Sequence, residues 1–293
     1  MTEPSVYTLA HLREWNRSAP SLAVIGSPIG HSVSPAMHNA ALAQFADLAG
    51  WEYFRFEITP AELPEALAQF AARGFAGINL TVPHKVSAYE LIPDRDASAC
   101  EAQAINTLHF AAGQKPRGYS TDGYGLLRGL AGDFGFEPAG RTVLVLGAGG
   151  AGQSAVVALE KAGARIFWYN RTAGKVSALI PRLGLENTYL VNAGQIPWEE
   201  TGLVINATSA GLREGDGVPV ALPAGRRDLC AYDMVYKPAQ TPFLREAAAR
   251  GLRTANGLSM LLHQGAKAFE IWTKKAPPVE VMEAALKKTV YDP

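Results

Sequence analysis

The chain has 293 residues, 48% hydrophobic and 18% charged, as expected of a globular protein with room for two cores. Its 27 Lys and Arg balance 27 Asp and Glu, so bulk charge points neither to nucleic acid nor to a membrane surface. No apolar stretch reaches the length of a signal-peptide core or a membrane span, so a cytoplasmic protein is expected.

Residues 1–20 read as a loose lead-in with one short helix. Residues 21–25 are a strand that runs into GSPIGHSVSP, where Ser34 as N-cap and Pro35 at the first helical position open a helix to about residue 48. A strand at 51–58 precedes Thr59-Pro60-Ala61-Glu62, a capping box whose helix ends at Gly74. Residues 75–82 are strand again and end in NLTVPHK. Strands at 104–110 and 117–121 turn about Gly113, and Asp122-Gly123-Tyr124-Gly125 begins a helix leading to a second domain. Strands alternating with helices imply an α/β domain with a mostly parallel sheet.

The second domain is built around residues 142–172. Thr142-Val143-Leu144-Val145-Leu146 is a continuous apolar run, as in a strand buried on both faces. It meets Gly147-Ala148-Gly149-Gly150-Ala151-Gly152, a G-x-G-x-x-G loop that opens a helix ending at Gly163, with a strand at 164–169. A bare glycine pattern says little. Strand, glycines, helix and strand within about thirty residues specify a Rossmann dinucleotide site, with a pyrophosphate on the amides of the helix N-terminus. An NAD-selective site would place Asp or Glu at the end of that strand. Here Asn170-Arg171-Thr172 stands there, with Lys175 one turn on, a cationic tip suited to the 2′-phosphate of NADP. As solvated surface cations, Arg171 and Lys175 would need no ligand, but the strand before it fixes the address of Arg171. Strands at 203–207 and 230–236, a helix from Thr241-Pro242, an apolar helix after Asn256-Gly257 and an amphipathic helix at 279–290 complete the chain. The expected division is 1–121 plus 258–293 against 122–257.

Hydride transfer to a ketone makes an alkoxide, which needs a proton source beside it. Lys85 and Asp122 stand where strands of the first domain hand over to helices, the edge at which such sheets bind ligands. Each also has a plain structural use, as a solvated helix-start lysine and as an N-cap. Ser32 and Ser34 flank a helix entry suited to a carboxylate; capping alone accounts for Ser34 but not for Ser32. Asn79, Thr81 and Asn106 are polar ends of apolar strands, which suggests a polyhydroxylated ligand, and Gln264 inside an apolar helix needs a partner. Cys100 and Cys230 are expected as reduced core thiols, and the six histidines show no metal-binding spacing, so no metal is expected.

Taken in order, GSPIGHSVSPAMHN, GINLTVPHK, AINT, STDGYG, VLGAGGAG, NRT, NATSAG, DMVYKP and GLSMLLHQGAKAF resemble the shikimate dehydrogenase family over almost the whole chain. The resemblance implies reversible NADPH-dependent reduction of 3-dehydroshikimate to shikimate, with the first domain binding substrate, the second NADP, and the C-terminal helices returning to the first. It makes Lys85 and Asp122 the catalytic pair. It gives the carboxylate to Ser32, Ser34 and Tyr236, and the hydroxyls to Asn79, Thr81, Asn106 and Gln264. Asn170, Arg171 and Thr172 then hold the adenosine phosphate, while Thr208, Ser209, Met234 and Gly257 border the nicotinamide. Ser120 stands where the family usually has Asn. The implied partners are the small-molecule substrate and at most a second copy of the chain. The rival expectations are a quinate/shikimate dehydrogenase using NAD and a nucleotide-sensing regulator without chemistry. Arg171 and the serine pair speak against the first, Lys85 and Asp122 against the second.

Overall fold

A computed structural model describes residues 5–111, 113–210 and 217–292. The start of the lead-in and Gly211 of the NATSAG motif lie outside the described residues. The chain forms two compact units, Met1–Thr121 with Gln264–Pro293, and Asp122–His263.

In the first unit, strands β1 (Tyr7–Thr8), β2 (Ser21–Gly26), β3 (Glu52–Glu57), β4 (Phe75–Leu80), β5 (Asp94–Arg95), β6 (Thr107–His109) and β7 (Arg117–Tyr119) form one sheet. Its order is β1-β3-β2-β4-β6-β7-β5. β6 pairs antiparallel with β4 and β7, and the other neighbours pair parallel. β1 and β5 escape a sequence pattern because two residues carry no periodicity. Helices α1 (Leu9–Arg13), α2 (Ser34–Leu42), α3 (Leu63–Ala72), α4 (Lys85–Leu91) and α5 (Ala97–Ala102) connect them. α3 starts later than the capping box implied, although Glu62 does reach back to the Thr59 N–H at 2.8 Å. Cys100 is exposed rather than in the core, while Cys230 is buried; both are free.

In the second unit, β8 (Thr142–Leu146), β9 (Arg165–Tyr169), β10 (Thr188–Leu190), β11 (Thr201–Asn206), β12 (Cys230–Asp233) and β13 (Arg253–Asn256) form a sheet of order β10-β9-β8-β11-β12-β13. Every pair is parallel. α6 (Asp122–Phe134) leads into β8, and α7 (Gly150–Lys161), α8 (Ala173–Arg182) and α9 (Pro242–Ala249) connect strands of the sheet. The apolar run of β8 divides by side-chain alternation. Val143 and Val145 join one core with Ile166, Trp168, Leu203 and Ile205. Leu144 and Leu146 join another with Val204, Ala231 and Phe243. Each such side chain contributes about 1.5–3 kcal/mol by leaving water, which is why the run has no polar face.

α10 (Leu258–Thr273) carries the chain from the second unit back to the first, and α11 (Val279–Tyr291) ends it. α10 begins at the expected boundary, Leu258, and the two units divide within it, at Gln264. Its later half seats on the first sheet through Trp272, whose Nε1–H donates to the Leu108 carbonyl at 2.8 Å. That fit needs Gly77, where a Cβ would lie 2.0 Å from Trp272 Nε1 and 2.7 Å from the Leu108 oxygen. Gly77→Ala should therefore destabilise the first unit by about 3 kcal/mol, the upper range for overpacking. An unchanged urea midpoint would show that the helix yields at no cost.

Candidate active site

The first sheet delivers its polar residues to one edge. β2, β4 and β7 end there, and antiparallel β6 begins there, so Ser32 and Ser34, Thr81 and Lys85, Asn106, and Thr121 all follow or precede strand ends on that side. The loops after β2 and β4 are stitched together. The Thr81 N–H donates to the Ile25 carbonyl at 2.9 Å and the Ser27 N–H to the Val82 carbonyl at 3.1 Å. A Cβ on Gly26 would come within 2.6 Å of Thr81 Cγ2, so only glycine lets the two loops lie this close.

β3 holds the serine loop from behind. Its alternate residues Phe54 and Phe56 enter the core. Tyr53, Arg55 and Glu57 point the other way and grip the segment 29–39 in register. Glu57 accepts the Ile29 N–H at 2.8 Å, Arg55 Nε donates to the Ser32 carbonyl at 2.7 Å, and the Asn39 side chain bonds the Tyr53 N–H and carbonyl at 2.8 and 3.1 Å. The buried Tyr53 hydroxyl donates to Asn79 Oδ1 at 2.8 Å and is hydrogen-bonded with Ser34. Burial pushes this phenol well above its ordinary pKa, so it stays a donor. Ser34 is the first residue of α2 and not its cap. Val33 holds the N-cap position with no side-chain cap, and the Ser32 hydroxyl accepts the Ser34 N–H at 3.4 Å. The expected cap at Ser34 is thus not formed; its side chain bonds Tyr53 instead.

Asn79, Asn106 and Gln264 meet in a buried network. Asn79 donates one amide group to the Asn106 carbonyl at 3.2 Å and to Thr107 Oγ1 at 2.9 Å. With its oxygen accepting from Tyr53, Asn79 also organises the edge. Asn106 Nδ2 reaches Thr121 Oγ1 at 3.0 Å and Gln264 Oε1 at 3.4 Å, and its Oδ1 accepts the Thr121 N–H at 2.8 Å. Thr121 leads directly into Asp122, a buried residue in the first turn of α6 and the start of the second unit.

Lys85 opens α4 and is half-buried. The residue before it anchors it. Buried His84 donates Nε2–H to the Ile58 carbonyl at 2.7 Å and its own N–H to the Thr81 carbonyl at 2.9 Å. The Lys85 carbonyl accepts the Ile105 N–H at 2.9 Å, tying the lysine to the strand that begins beside Asn106. Burial lowers the His84 pKa, which keeps the ring neutral.

In the second unit, connections leave the sheet on opposite sides at β8 and β11, so a crevice opens outside their carboxyl ends. Gly147 turns with φ +105°, and Gly152 lies so near it that a Cβ would meet the Gly147 oxygen at 2.2 Å. Gly149 caps α7, and a Cβ there would meet nothing within 4 Å. The loop Gly147, Ala148, Gly149, Gly150, Ala151, Gly152 therefore presents an unobstructed helix N-terminus, which fits a pyrophosphate. Asn170 clamps this loop to the next one, accepting the Ala148 N–H at 3.2 Å and donating to the Thr172 carbonyl at 2.9 Å. Arg171, Thr172 and Lys175 stand at that tip, all three exposed. Thr208 and Ser209 follow β11, Met234 and Tyr236 follow β12, and Gly257 follows β13, all at the carboxyl edge. Tyr236 belongs to this unit, the serines to the other.

Residues 24–108 match the model of the shikimate dehydrogenase substrate binding domain, and residues 257–287 that of the shikimate 5'-dehydrogenase C-terminal domain. Shikimate dehydrogenase (NADP(+)) of Citrifermentans bemidjiense is 41% identical over 281 residues, spanning 92% of this chain and 95% of that one. The namesake from Methanococcoides burtonii is 38% identical over 92% of this chain and 97% of its own. The chain belongs to the shikimate dehydrogenase family. A crystal structure of shikimate 5-dehydrogenase from Thermus thermophilus, in complex with NADP(H) and shikimate, superposes with a TM-score of 0.80 at 37% identity, covering 92% of this chain and 99% of that one. Sequence reasoning about this shikimate dehydrogenase family member missed Tyr53, His84 and Thr121. The one available signal was a polar residue at every second place of β3, beside core phenylalanines.

Among the described residues, no group of three His, Cys, Asp or Glu is arranged to hold a metal ion, and no helix is long and apolar enough to cross a membrane.

Proposed function

We propose that this chain is an NADP-dependent shikimate dehydrogenase of the cytoplasm, reversibly reducing 3-dehydroshikimate to shikimate on the way to chorismate and the aromatic amino acids. The observation carrying this is the sheet edge of the first unit. Hydroxyls, amides and one lysine converge there, the set that a polyhydroxylated carboxylic acid needs, in a chain related over 92% of its length to NADP(+) enzymes of that name. NADP, when bound, takes or supplies the hydride. The chain's own residues do the rest.

In this reading the first unit binds substrate and the second binds cofactor. Ser32, Ser34 and Tyr236 take the carboxylate. Asn79, Thr81, Asn106 and Gln264 take the hydroxyls, and Asn79 also holds Tyr53 and Asn106 in place. Lys85 and Asp122 move the proton at the hydroxyl oxygen of the reacting carbon. The loop 147–152 takes the pyrophosphate, and Arg171, Thr172 and Lys175 the 2′-phosphate, with Asn170 fixing their approach. Thr208, Ser209, Met234 and Gly257 border the nicotinamide.

Absorbance at the nicotinamide band tests the reading, with shikimate offered beside NADP or NAD, and quinate as the comparison. Turnover should be fastest with shikimate and NADP; no turnover with that pair, or a preference for NAD, overturns it. Arg171 is exposed and in no ion pair among the described residues, so Arg171→Ala should leave stability unchanged. Losing one charge-assisted bond to a phosphate costs about 1.5–3 kcal/mol, so KM for NADP should rise roughly ten- to a hundredfold. An unchanged KM would place the 2′-phosphate elsewhere.

A further inference from the structure

A carboxylate that has no place in the chemistry lies under the edge of the second sheet. Asp233 ends β12 and is fully buried. It accepts three hydrogen bonds, from Asn206 Nδ2 at 3.1 Å, from the Val235 N–H at 3.0 Å and from the Thr241 hydroxyl. Burial pushes its pKa up, and the three donors oppose that by favouring the ionised form. Such a group is costly unless fully paired, so its retention at a strand end points to what it holds.

Its partners reach two loops, those after β11 and β12. Asn206, fully buried at the end of β11, spends its oxygen on the Thr208 N–H at 3.1 Å and the Thr208 hydroxyl at 2.7 Å, and its amide also reaches the Ala210 carbonyl at 3.1 Å. Thr208 Oγ1 in turn accepts the Ala210 N–H at 3.1 Å. The loop so fixed lies directly on the glycine loop, since a Cβ on Gly147 would meet Thr208 Cγ2 at 2.9 Å and the Ala207 oxygen at 3.0 Å. The Val235 bond sets the turn after Met234, against which Gly257 packs so closely that a Cβ would lie 2.2 Å from the Met234 oxygen. Thr241 caps α9 by accepting the Leu244 N–H at 3.3 Å.

We propose that Asp233 is a positioning residue for the nicotinamide end of the cofactor, acting through Asn206 on the Thr208–Ala210 loop and through Val235 on the Met234 turn. This rests on the reading that the second unit binds NADP. Its bonds reach the loops after β11 and β12 and leave the Arg171 tip after β9 alone, so the two ends of the cofactor should separate in a test.

Affinities for NADP and for 2′,5′-ADP, which carries only the adenosine end, are measured by calorimetry on the full chain, with kcat for shikimate oxidation alongside. Asp233→Ala should bind 2′,5′-ADP within twofold of the unsubstituted protein, lose at least tenfold in kcat, and bind NADP no better than the fragment. Asp233→Asn should recover most of the activity. Its carbonyl can keep Asn206 and Val235 while its amide donates to Thr241, whose hydroxyl oxygen has a second lone pair. Asn206→Ala leaves Asp233 paired with Val235 and Thr241 and should repeat the selective loss, so it decides the matter if Asp233→Ala fails to fold. Loss of 2′,5′-ADP in step with NADP in a folded variant would make Asp233 a general support and overturn the proposal, as would unchanged kcat. If the unsubstituted protein itself binds neither compound, the cofactor reading fails instead.

Discussion

Replacing Lys85 with alanine should lower kcat for shikimate oxidation by roughly a hundred- to ten-thousandfold, the usual worth of a positioned acid–base group. The reacting hydroxyl must shed its proton as hydride departs, and Lys85 is the cation at an edge whose other proposed ligands are neutral hydroxyls and amides. The side chain is half-buried, and the bonds that fix the backbone there, from Ile105 to the Lys85 carbonyl and from His84 to Thr81 and Ile58, do not involve it. KM for shikimate should move far less than kcat, since the carboxylate and other hydroxyls keep their partners. Asp122→Asn should also slow turnover, and the double variant should be little worse than Lys85→Ala if the two act as a unit. Added small primary amines should restore part of the lost rate. A variant that loses mainly KM and keeps its turnover would make Lys85 a binding residue.

The second large effect concerns acid stability and comes from His38. This α2 residue is fully buried, stacked on Tyr53 at 4.3 Å with the rings 7° apart, and set 5.4 Å from Trp272. Neither ring nitrogen has a hydrogen-bond partner. Burial alone lowers its pKa from 6.5 to about 3. The folded state therefore holds a neutral ring where the unfolded chain takes up a proton. Stability from this group is complete above pH 6.5 and falls as pH drops from 6.5 towards 3. The slope approaches about 1.4 kcal/mol per pH unit. The other titratable group against the ring is the Tyr53 phenol, which stays protonated throughout this range. His38→Phe keeps an aromatic ring against Tyr53 and cannot titrate. Between pH 6.5 and 4.5 the unsubstituted protein should lose about 2–3 kcal/mol more than this variant in urea unfolding. Parallel losses would mean that the ring reaches solvent before the unit unfolds. The effect reaches the site, because the Tyr53 that stacks on His38 also bonds Ser34 and Asn79.

The α/β class, the dinucleotide loop and the positions of Lys85, Asp122 and Arg171 were readable from local pattern. An apolar strand, a glycine turn and a helix are each set by neighbours within a few residues, so the run 142–169 specifies its own fold. The family relation was equally legible, since its motifs are short and contiguous. Local pattern misjudged Ser34 as the helix cap, because Val33 holds that position and the Ser34 side chain bonds Tyr53 on another strand.

Tertiary structure alone decided which polar residues are spent within the protein. Asn79 and Asn106 look alike as strand-end amides. Strand order brings Tyr53 from β3 and Thr107 from antiparallel β6 to Asn79, while Asn106 meets Thr121 and, 158 residues away, Gln264. Asp233, likewise, reads in sequence as the acid of a short motif. Its role as the link between two loops arises from parallel pairing that sets β11 and β12 in register, Asn206 beside Asp233. Composition and periodicity record which face a residue takes; they hold no information on which distant partner is waiting there. That partner is chosen by strand order, which is settled when the sheets assemble.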